Sequence, residues 1–373
     1  MATTGQEIGL AVIGCGPIGR VRAELARGYP GVGWLGVCDI RHDLADGLAR
    51  DTGADFVTTD SAELLARPEV NAVIVATQES AHVRPVMQAL EHGHRLFIEK
   101  PLAVDARESA QVMEAIDAAG VDAVMGYTQR FRRRFLTVKE RLIQGQIGDV
   151  TAVSARALLN RRIAEMCLAR ANRHDTTTPV VISGTHILDM CLWLMAGRRP
   201  VSVFAQSTDR IFGSAGSKDS TFAIVTFDDG SMLSLSHSWA APTVWPGGVY
   251  GMQVGIVGDK GVIDIEDTHR DLVLATENKL GAGYAPDGFT PGFDRHVEFM
   301  TSYPPGDMYN GQLWGPMREE TNSWYQRLYT GMDTPHATAQ DGHRNLIMTM
   351  SMDLSSKRNA RLDLPVDLDV FYE

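Results

Sequence analysis

The chain has 373 residues, 44% of them hydrophobic and 22% charged, with a net charge of −11 at neutral pH. That length exceeds what a single core normally organises, so two domains are expected, and the acidic balance argues against a polyanion such as nucleic acid as partner. No apolar run reaches the length of a bilayer span, Met1 to Glu7 carry no basic-then-apolar leader, and the cysteines at 15, 38, 167 and 191 form no C-x-x-C pair. A cytoplasmic protein with reduced thiols and no membrane partner is therefore expected.

The first predicted strand, Ile8–Ile13, runs into Gly14-Cys15-Gly16-Pro17-Ile18-Gly19 and then a helix with Ile18, Val21 and Leu25 on one face. This is the pattern of a dinucleotide-binding turn. Gly14 permits the tight turn, Gly16 lets a pyrophosphate approach the backbone, Gly19 lets the helix lie on the strand, and the helix start attracts the phosphates. Pro17 suits a first helical turn, where its missing N–H costs nothing. A second strand, 34–38, ends at Asp39, at the spacing of a carboxylate that hydrogen-bonds the adenosine ribose. Asp39 predicts NAD in preference to NADP, while Arg41 is the residue that could hold a 2′-phosphate instead. A purely structural glycine turn is the other reading, and the strand-turn-helix context weighs against it.

The alternation continues through a helix at 44–51, a short strand at 56–57, a helix at 61–66 and an apolar strand at 72–76. A parallel sheet covered on both faces follows from it. Thr77 stands at a strand's carboxyl end, where such sheets bind ligands, and His82 opens the next helix, either facing the cofactor or serving as a cap or surface residue. A strand at 95–98 ends in Glu99-Lys100-Pro101, and a helix at 106–119 and a strand at 122–125 complete the sheet. The domain boundary is placed near Gly126, giving domains 1–125 and 126–373. Arg130, Arg132, Arg133 and Arg134 alternate with Phe131 and Phe135 at helical spacing, which reads as a solvated helix face.

In the second half, a helix at 135–144 leads to a strand at 150–158, and the polar stretch 160–179 reads as a long irregular loop holding His174 and Asp175. A helix at 184–195 follows, then strands at 201–207, 220–227, 232–239, 252–257, 262–265 and 272–276, with Asp228-Asp229-Gly230 marking a hairpin. Strand 221–227 is apolar on both alternating sets, Phe222 and Ile224 against Ala223, Val225 and Phe227. One layer of cover would be the domain's own helices and the other a second subunit, so a dimer or tetramer is expected. Residues 281–316 read as long loops for substrate closure or subunit contact.

These motifs, in this order, have a family likeness. The glycine turn at 14–19, Thr77 with His82, Glu99-Lys100-Pro101, Gly126-Tyr127 with Arg130-Phe131, residues 143–148, His186-Ile187-Leu188-Asp189, and a closing helix with Ser355-Ser356 before Leu364-Pro365 carry it. The chain resembles the oxidoreductase family named for glucose-fructose oxidoreductase, inositol dehydrogenase and the rhizopine-catabolism protein (Gfo/Idh/MocA), which acts mostly on sugars, cyclitols and related polyols. The resemblance implies an α/β protein: an N-terminal Rossmann domain, then a C-terminal α/β domain with a large, open, mostly antiparallel sheet. The final helix is free in this reading to pack back on the first domain.

The resemblance also implies site roles. Hydride transfer from a secondary alcohol needs a group that takes the hydroxyl proton and a cation that holds the oxygen. Lys100 matches the family lysine that binds the reacting hydroxyl, and His186 matches the family's catalytic histidine, with Asp189 three residues on along the same helical face. A surface salt bridge for Lys100 and a satisfied histidine–aspartate pair are the alternatives. The expected cofactor set is Gly14, Gly16, Pro17, Ile18, Gly19, Asp39, Arg41, Thr77, His82, Glu99 and Lys100. The expected substrate set is Lys100, Tyr127, Arg130, Arg156, His174, Asp175 and His186. The chain departs from the family at Ile182, where many members carry an aspartate four residues before the histidine. No metal-binding or serine acyl-transfer motif is present. The expected function is NAD-dependent oxidation or reduction at a ring carbon of a sugar, glycoside or cyclitol. Hydride exchange between sugars on a retained cofactor, oxidation of a glycoside before aglycone elimination, and a non-catalytic dinucleotide sensor are the alternatives.

Overall fold

The computed structural model describes residues 7–171, 173–242, 251–266, 273–275, 297–299 and 305–373. In chain order the elements are β1 (Ile8–Ile13), α1 (Pro17–Arg27), β2 (Val32–Cys38), α2 (His42–Thr52), β3 (Phe56–Thr58), α3 (Ser61–Leu65), β4 (Ala72–Val75), α4 (Val83–Glu91), β5 (Arg95–Glu99), α5 (Ala106–Ala119) and β6 (Ala123–Gly126). There follow α6 (Arg133–Ile143), β7 (Val150–Asn160), α7 (Arg161–Arg170), α8 (Thr185–Leu194), β8 (Pro200–Thr208), β9 (Ser220–Phe227), β10 (Met232–Ala241), β11 (Gly251–Gly258) and β12 (Gly261–Glu266). The last are β13 (Val273–Ala275), β14 (Val297–Phe299), β15 (Asp307–Tyr309), β16 (Gln312–Trp314), α9 (Pro316–Thr330), α10 (Ala339–Arg358) and β17 (Leu362–Asp363). Two compact units result, Met1–Phe131 with Pro305–Leu346, and Arg132–Pro304 with Ile347–Glu373. The first unit thus runs on to Phe131 and includes α9 and the start of α10.

In the first unit six parallel strands lie in the order β3-β2-β1-β4-β5-β6. β1 and β4 are buried along their whole length, as expected of strands with helices on both faces. Local chemistry sets the helix ends. Asp60 caps α3 by accepting from the Ala62 N–H, Asp105 caps α5 by accepting from Arg107 and Glu108, and Gly53 and Gly120 close α2 and α5 in the left-handed region.

A buried charge network ties α1 to β5 and α9. Arg22 is fully buried and lies over the Phe97 ring at 4.3 Å. Its guanidinium donates to Glu99 Oε1 at 2.7 and 3.0 Å, to Glu320 Oε2 at 2.6 Å and to Thr321 Oγ1 at 2.5 Å. Thr128 Oγ1 also donates to Glu320 Oε2, at 2.8 Å. Two carboxylates thus share one guanidinium. Burial, reinforced by the second carboxylate, pushes Glu320 up to about 7 despite Arg22.

The second unit is built on a seven-stranded sheet of order β12-β11-β7-β10-β9-β8-β17, antiparallel at every step except the central β7–β10 pair. Its inner face, with Val153, Ala155, Ala223, Val225, Leu233, Leu235 and Val254, packs with Phe135 of α6 and Ile187, Leu188 and Cys191 of α8. The other face is open: Phe222 and Ile224 are 60% and 51% exposed, and Ile224 pairs across strands with the exposed Phe204.

Three expectations change. Residues 161–170 are helix α7, not loop, capped by Asn160 and buried through Ala164 and Leu168. Within the expected loop 281–316, residues 307–314 form the hairpin β15–β16, turned at Asn310 (φ 50°) and Gly311 (φ 73°), while most of its earlier part, 281–304, lies outside the described residues. Of the four arginines read as a solvated face, Arg130 and Arg132 are buried.

Because folding holds the Glu320 carboxyl above its ordinary 4.5, at about 7, it favours the protonated form. Its stabilising contribution is full below the ordinary value and is lost as pH rises through the folded one. Urea unfolding at about pH 5 and about pH 8 should show stability falling with pH, and Glu320→Gln should remove much of that fall.

Candidate active site

The glycine turn joins β1 to α1 with almost no free space. Gly14 has φ +101°, and a Cβ there would run into the Ala76 carbonyl and the Thr77 nitrogen; one on Gly19 would strike the Gly14 carbonyl. Gly16 differs, because a Cβ there meets nothing within 4 Å. Two glycines are therefore needed by the protein's own packing, and the middle one leaves room in front of the start of α1, whose Gly16 cap uses no side chain. That is the space a pyrophosphate takes, so the residues fit a dinucleotide. Pro17 and Ile18 form the partly exposed first turn.

Asp39, just past the end of β2, is fixed to this turn. Its Oδ2 accepts from the Cys15 N–H at 2.8 Å and its Oδ1 from the Arg41 N–H at 2.9 Å, which holds the carboxylate at the rim with lone pairs left for ribose hydroxyls. The Arg41 side chain is exposed and 3.7 Å from Asp43. Ile40, between them, is 91% exposed. The sequence reading does not include it, yet an apolar side chain bared beside Asp39 is of the kind that suits the face of an adenine ring, and its adjacency to Asp39 is the signal for it. Cys15 and Cys38 are buried, and burial pushes both thiols up to about 12, so neither is a nucleophile.

Thr77 follows β4, and His82 does not face outward beside it. The His82 ring is 1% exposed, with Nδ1 2.7 Å from the Pro101 carbonyl and Nε2 3.1 Å from the Thr77 carbonyl. Burial pushes its pKa down. The ring is packed between the loops that carry Thr77 and Lys100, and in its neutral form it donates to one of the two carbonyls at a time. Glu99 likewise spends Oε1 on Arg22, so its role is to anchor the end of β5. Lys100 is the next residue. It is partly exposed, its bond to Pro101 is cis, and among the described residues its ammonium has no hydrogen-bond or ion-pair partner. Tyr127 is buried in the core of this unit. Arg130 is buried too, donating to Asp341 near the start of α10 at 3.2 Å and to the Pro335 carbonyl at 3.5 Å.

In the second unit Arg156 lies exposed on the open side of the sheet, on β7. His174 places its two ring nitrogens on the carbonyls of Ala215 and Leu168, and Asp175 pairs with Arg173 at 2.7 Å on the surface, held below the usual carboxylate range by that arginine. Both are accounted for by local structure. His186 and Asp189 lie buried on α8. The turn before them is a π-helix, Val180–Gly184, a form that is rare and frequent at functional sites. Ile182 packs against an apolar cluster of Leu159, Ala164, Leu168, Phe212 and Trp239. A carboxylate at 182 would have to enter that cluster.

The two kinds of glycine separate experimentally. Gly16→Ala should fold normally and bind NAD more weakly by about tenfold or more, or about 1.4 kcal/mol, read by cofactor titration. Gly19→Ala should instead lose about 1–3 kcal/mol of stability by overpacking, read by urea unfolding.

Comparison with known proteins identifies the family. A model described as an oxidoreductase family with an NAD-binding Rossmann fold matches residues 8–127, and the GFO/IDH/MocA C-terminal domain matches residues 135–264. The inositol 2-dehydrogenase of Gluconacetobacter diazotrophicus is 33% identical over 193 residues, 51% of this chain and 55% of that protein. The myo-inositol 2-dehydrogenase of Thermotoga maritima is 23% identical over 363 residues, 95% of this chain and 98% of that one. In fold, the chain is similar to scyllo-inositol dehydrogenase from Lactobacillus casei, whose structure holds NAD(H) and scyllo-inositol, with a TM-score of 0.75 at 18% identity over 96% of this chain and 99% of the other. The chain belongs to the GFO/IDH/MocA oxidoreductase family and carries that family's NAD-binding Rossmann fold at its N-terminal end.

Proposed function

We propose that the protein oxidises a ring hydroxyl of a cyclitol, sugar or glycoside, or reduces the matching ketone, with NAD as cofactor. What carries this reading is one arrangement in one sheet: a glycine turn open only at Gly16, and, two strands along at the end of β5, a lysine ammonium with no hydrogen-bond or ion-pair partner among the described residues. The inositol dehydrogenases among the relatives support a cyclitol as the first class to try.

Gly14 to Gly19 would hold the pyrophosphate and Asp39 the ribose, with Ile40 against the adenine. NAD bound there supplies the two-electron acceptor for a carbon–hydrogen bond. The chain's residues handle the oxygen and its proton. Lys100 donates to the substrate hydroxyl and stabilises the charge that grows on it, and His186 accepts the hydroxyl proton. Glu99 and His82 hold the loop on either side of Lys100 and touch no substrate.

Single-turnover reduction of NAD with a panel of inositols, sugars and glycosides tests this. His186→Ala and Lys100→Ala should each slow the reaction by about 10²- to 10⁴-fold while NAD affinity stays nearly constant. Unchanged rates in both variants would remove these residues from the chemistry. Binding of NAD with no turnover on any substrate would favour a dinucleotide sensor.

The open face of the sheet supports assembly with a second copy. Phe204, Phe222 and Ile224 form an exposed apolar patch on a sheet whose other face is already covered by helices of its own unit. Light scattering at micromolar concentration should report a dimer or tetramer, and Phe222→Asp with Ile224→Asp should reduce it to a monomer. A wild-type monomer would overturn this assignment.

A further inference from the structure

The turn before His186 is fastened by side chains to which the reaction above gives no part. Strand β10 alternates, so Leu233, Leu235, His237 and Trp239 share its buried face. The two leucines join the core. The other two bring an imidazole and an indole N–H into the interior, at 1% and 0% exposure.

Both meet at one hydroxyl. Trp239 Nε1 donates to Ser183 Oγ at 2.6 Å, His237 Nε2 lies 2.8 Å from the same oxygen, and that hydroxyl is 3.2 Å from the Pro179 carbonyl. A hydroxyl has one proton and two lone pairs. With its proton on the Pro179 carbonyl, Ser183 accepts from the indole and from His237 Nε2–H, so all three contacts are satisfied at once. His237 Nδ1 is then a bare acceptor, and it is buried without a hydrogen-bond partner among the described residues. Leaving it so has a cost, which the interior would avoid with a leucine unless the Nε2 contact were needed. Burial pushes His237 down to about 3, so the ring stays neutral near neutral pH.

Ser183 lies in the π-turn, three residues before His186. A π-turn interrupts the regular helical ladder, so the direction in which the next turn presents its side chains depends on how the bulge is held. Here it is held on two sides. Ile182 packs against the apolar cluster, and the His237 ring lies over Gly184, where an added Cβ would come within 3.4 Å of its Cγ.

We infer that Ser183, His237 and Trp239 are positioning residues that aim His186, a clamp in a chain whose position 182 has no carboxylate. The inference rests on the role proposed for His186. Removing a hydrogen bond from the clamp rotates the bulge and misdirects that histidine, leaving the cofactor turn in the other unit untouched.

The test uses the full-length protein with Ser183→Ala, His237→Leu and His237→Gln, the last retaining a side-chain N–H near the position of Nε2. Expected for Ser183→Ala and His237→Leu is a kcat loss of about ten- to a hundredfold with an unchanged KM for NAD, because small misplacements of a reacting group cost rates of that order. His237→Gln should recover most of it. In protein labelled with ¹⁵N-histidine, the His186 ring signals, identified by their disappearance in His186→Ala, should move in the first two variants and return in the third. The NMR result stands even if no substrate turns over, an outcome that would count against the proposed function alone. Folded Ser183→Ala with unmoved His186 signals would overturn the inference, as would a failure of His237→Gln to restore those signals while Ser183→Ala shifts them. Melting temperature and NAD binding establish that each variant is folded.

Discussion

The close approach of α1 to β1 and β4 is the constraint on which the first unit depends. It exists because positions 14 and 19 carry no side chain: the carbonyl of Gly14 fills the place of a Cβ on Gly19, and Ala76 crowds Gly14. With the helix drawn in this far, Arg22, on the next turn, is buried over Phe97 and reaches Glu99 at the end of β5. Lys100 is the next residue. A glycine requirement at one end of the sheet thus fixes, through one buried arginine, the backbone from which the proposed oxygen-holding lysine projects. A buried ion pair of this kind is poor evidence of net stability, since desolvation offsets most of its attraction. Its value here is location: among the described residues neither carboxylate has another cation as partner, so α1, β5 and α9 meet in one register.

How much of this was legible in the sequence depended on the range of the interaction. The Rossmann unit was readable because its signals are local: a glycine turn after an apolar strand, Asp39 one strand later, and strands and helices alternating at short spacing. The sheet of the second unit was readable from alternation, down to the two apolar faces of β9. Arg22 was not readable, because an arginine on an amphipathic helix is ordinarily solvated and its partner Glu320 is 298 residues away. Helix α7 was hidden by its own arginines, although Ile163, Ala164, Cys167 and Leu168 recur at helical spacing; composition was given more weight than period.

The site residues divide along the same line. Gly14, Gly16, Gly19, Asp39 and Lys100 were placed where motif and strand end put them. His82, Glu99, Arg130, His174 and Asp175 were identified by charge or by motif membership, and each turns out to be bonded to a neighbouring carbonyl, arginine or carboxylate. A motif shows that a residue is needed and does not say whether it touches a ligand or holds the loop that does. Only the hydrogen-bond partners separate the two. Ile182 makes the same point from the other side: in sequence it is a missing carboxylate, and in the structure it is a contact with an apolar cluster.

The two units hold their functional segments by different chemistry, and the difference has a physical reason. In the proposed reaction Lys100 holds a growing negative charge, and its segment is fixed by a charged network whose guanidinium is fully occupied by Glu99, Glu320, Thr321 and a carbonyl. A histidine that takes a proton has to lie close to balance between its two forms, and a formal charge packed beside it would shift that balance. The clamp at Ser183 is built instead from a hydroxyl, an indole and an imidazole that burial keeps neutral. It fastens the turn before His186 without placing a formal charge there. A carboxylate at position 182 would instead have put a formal charge into the apolar cluster against which Ile182 packs, one turn before His186.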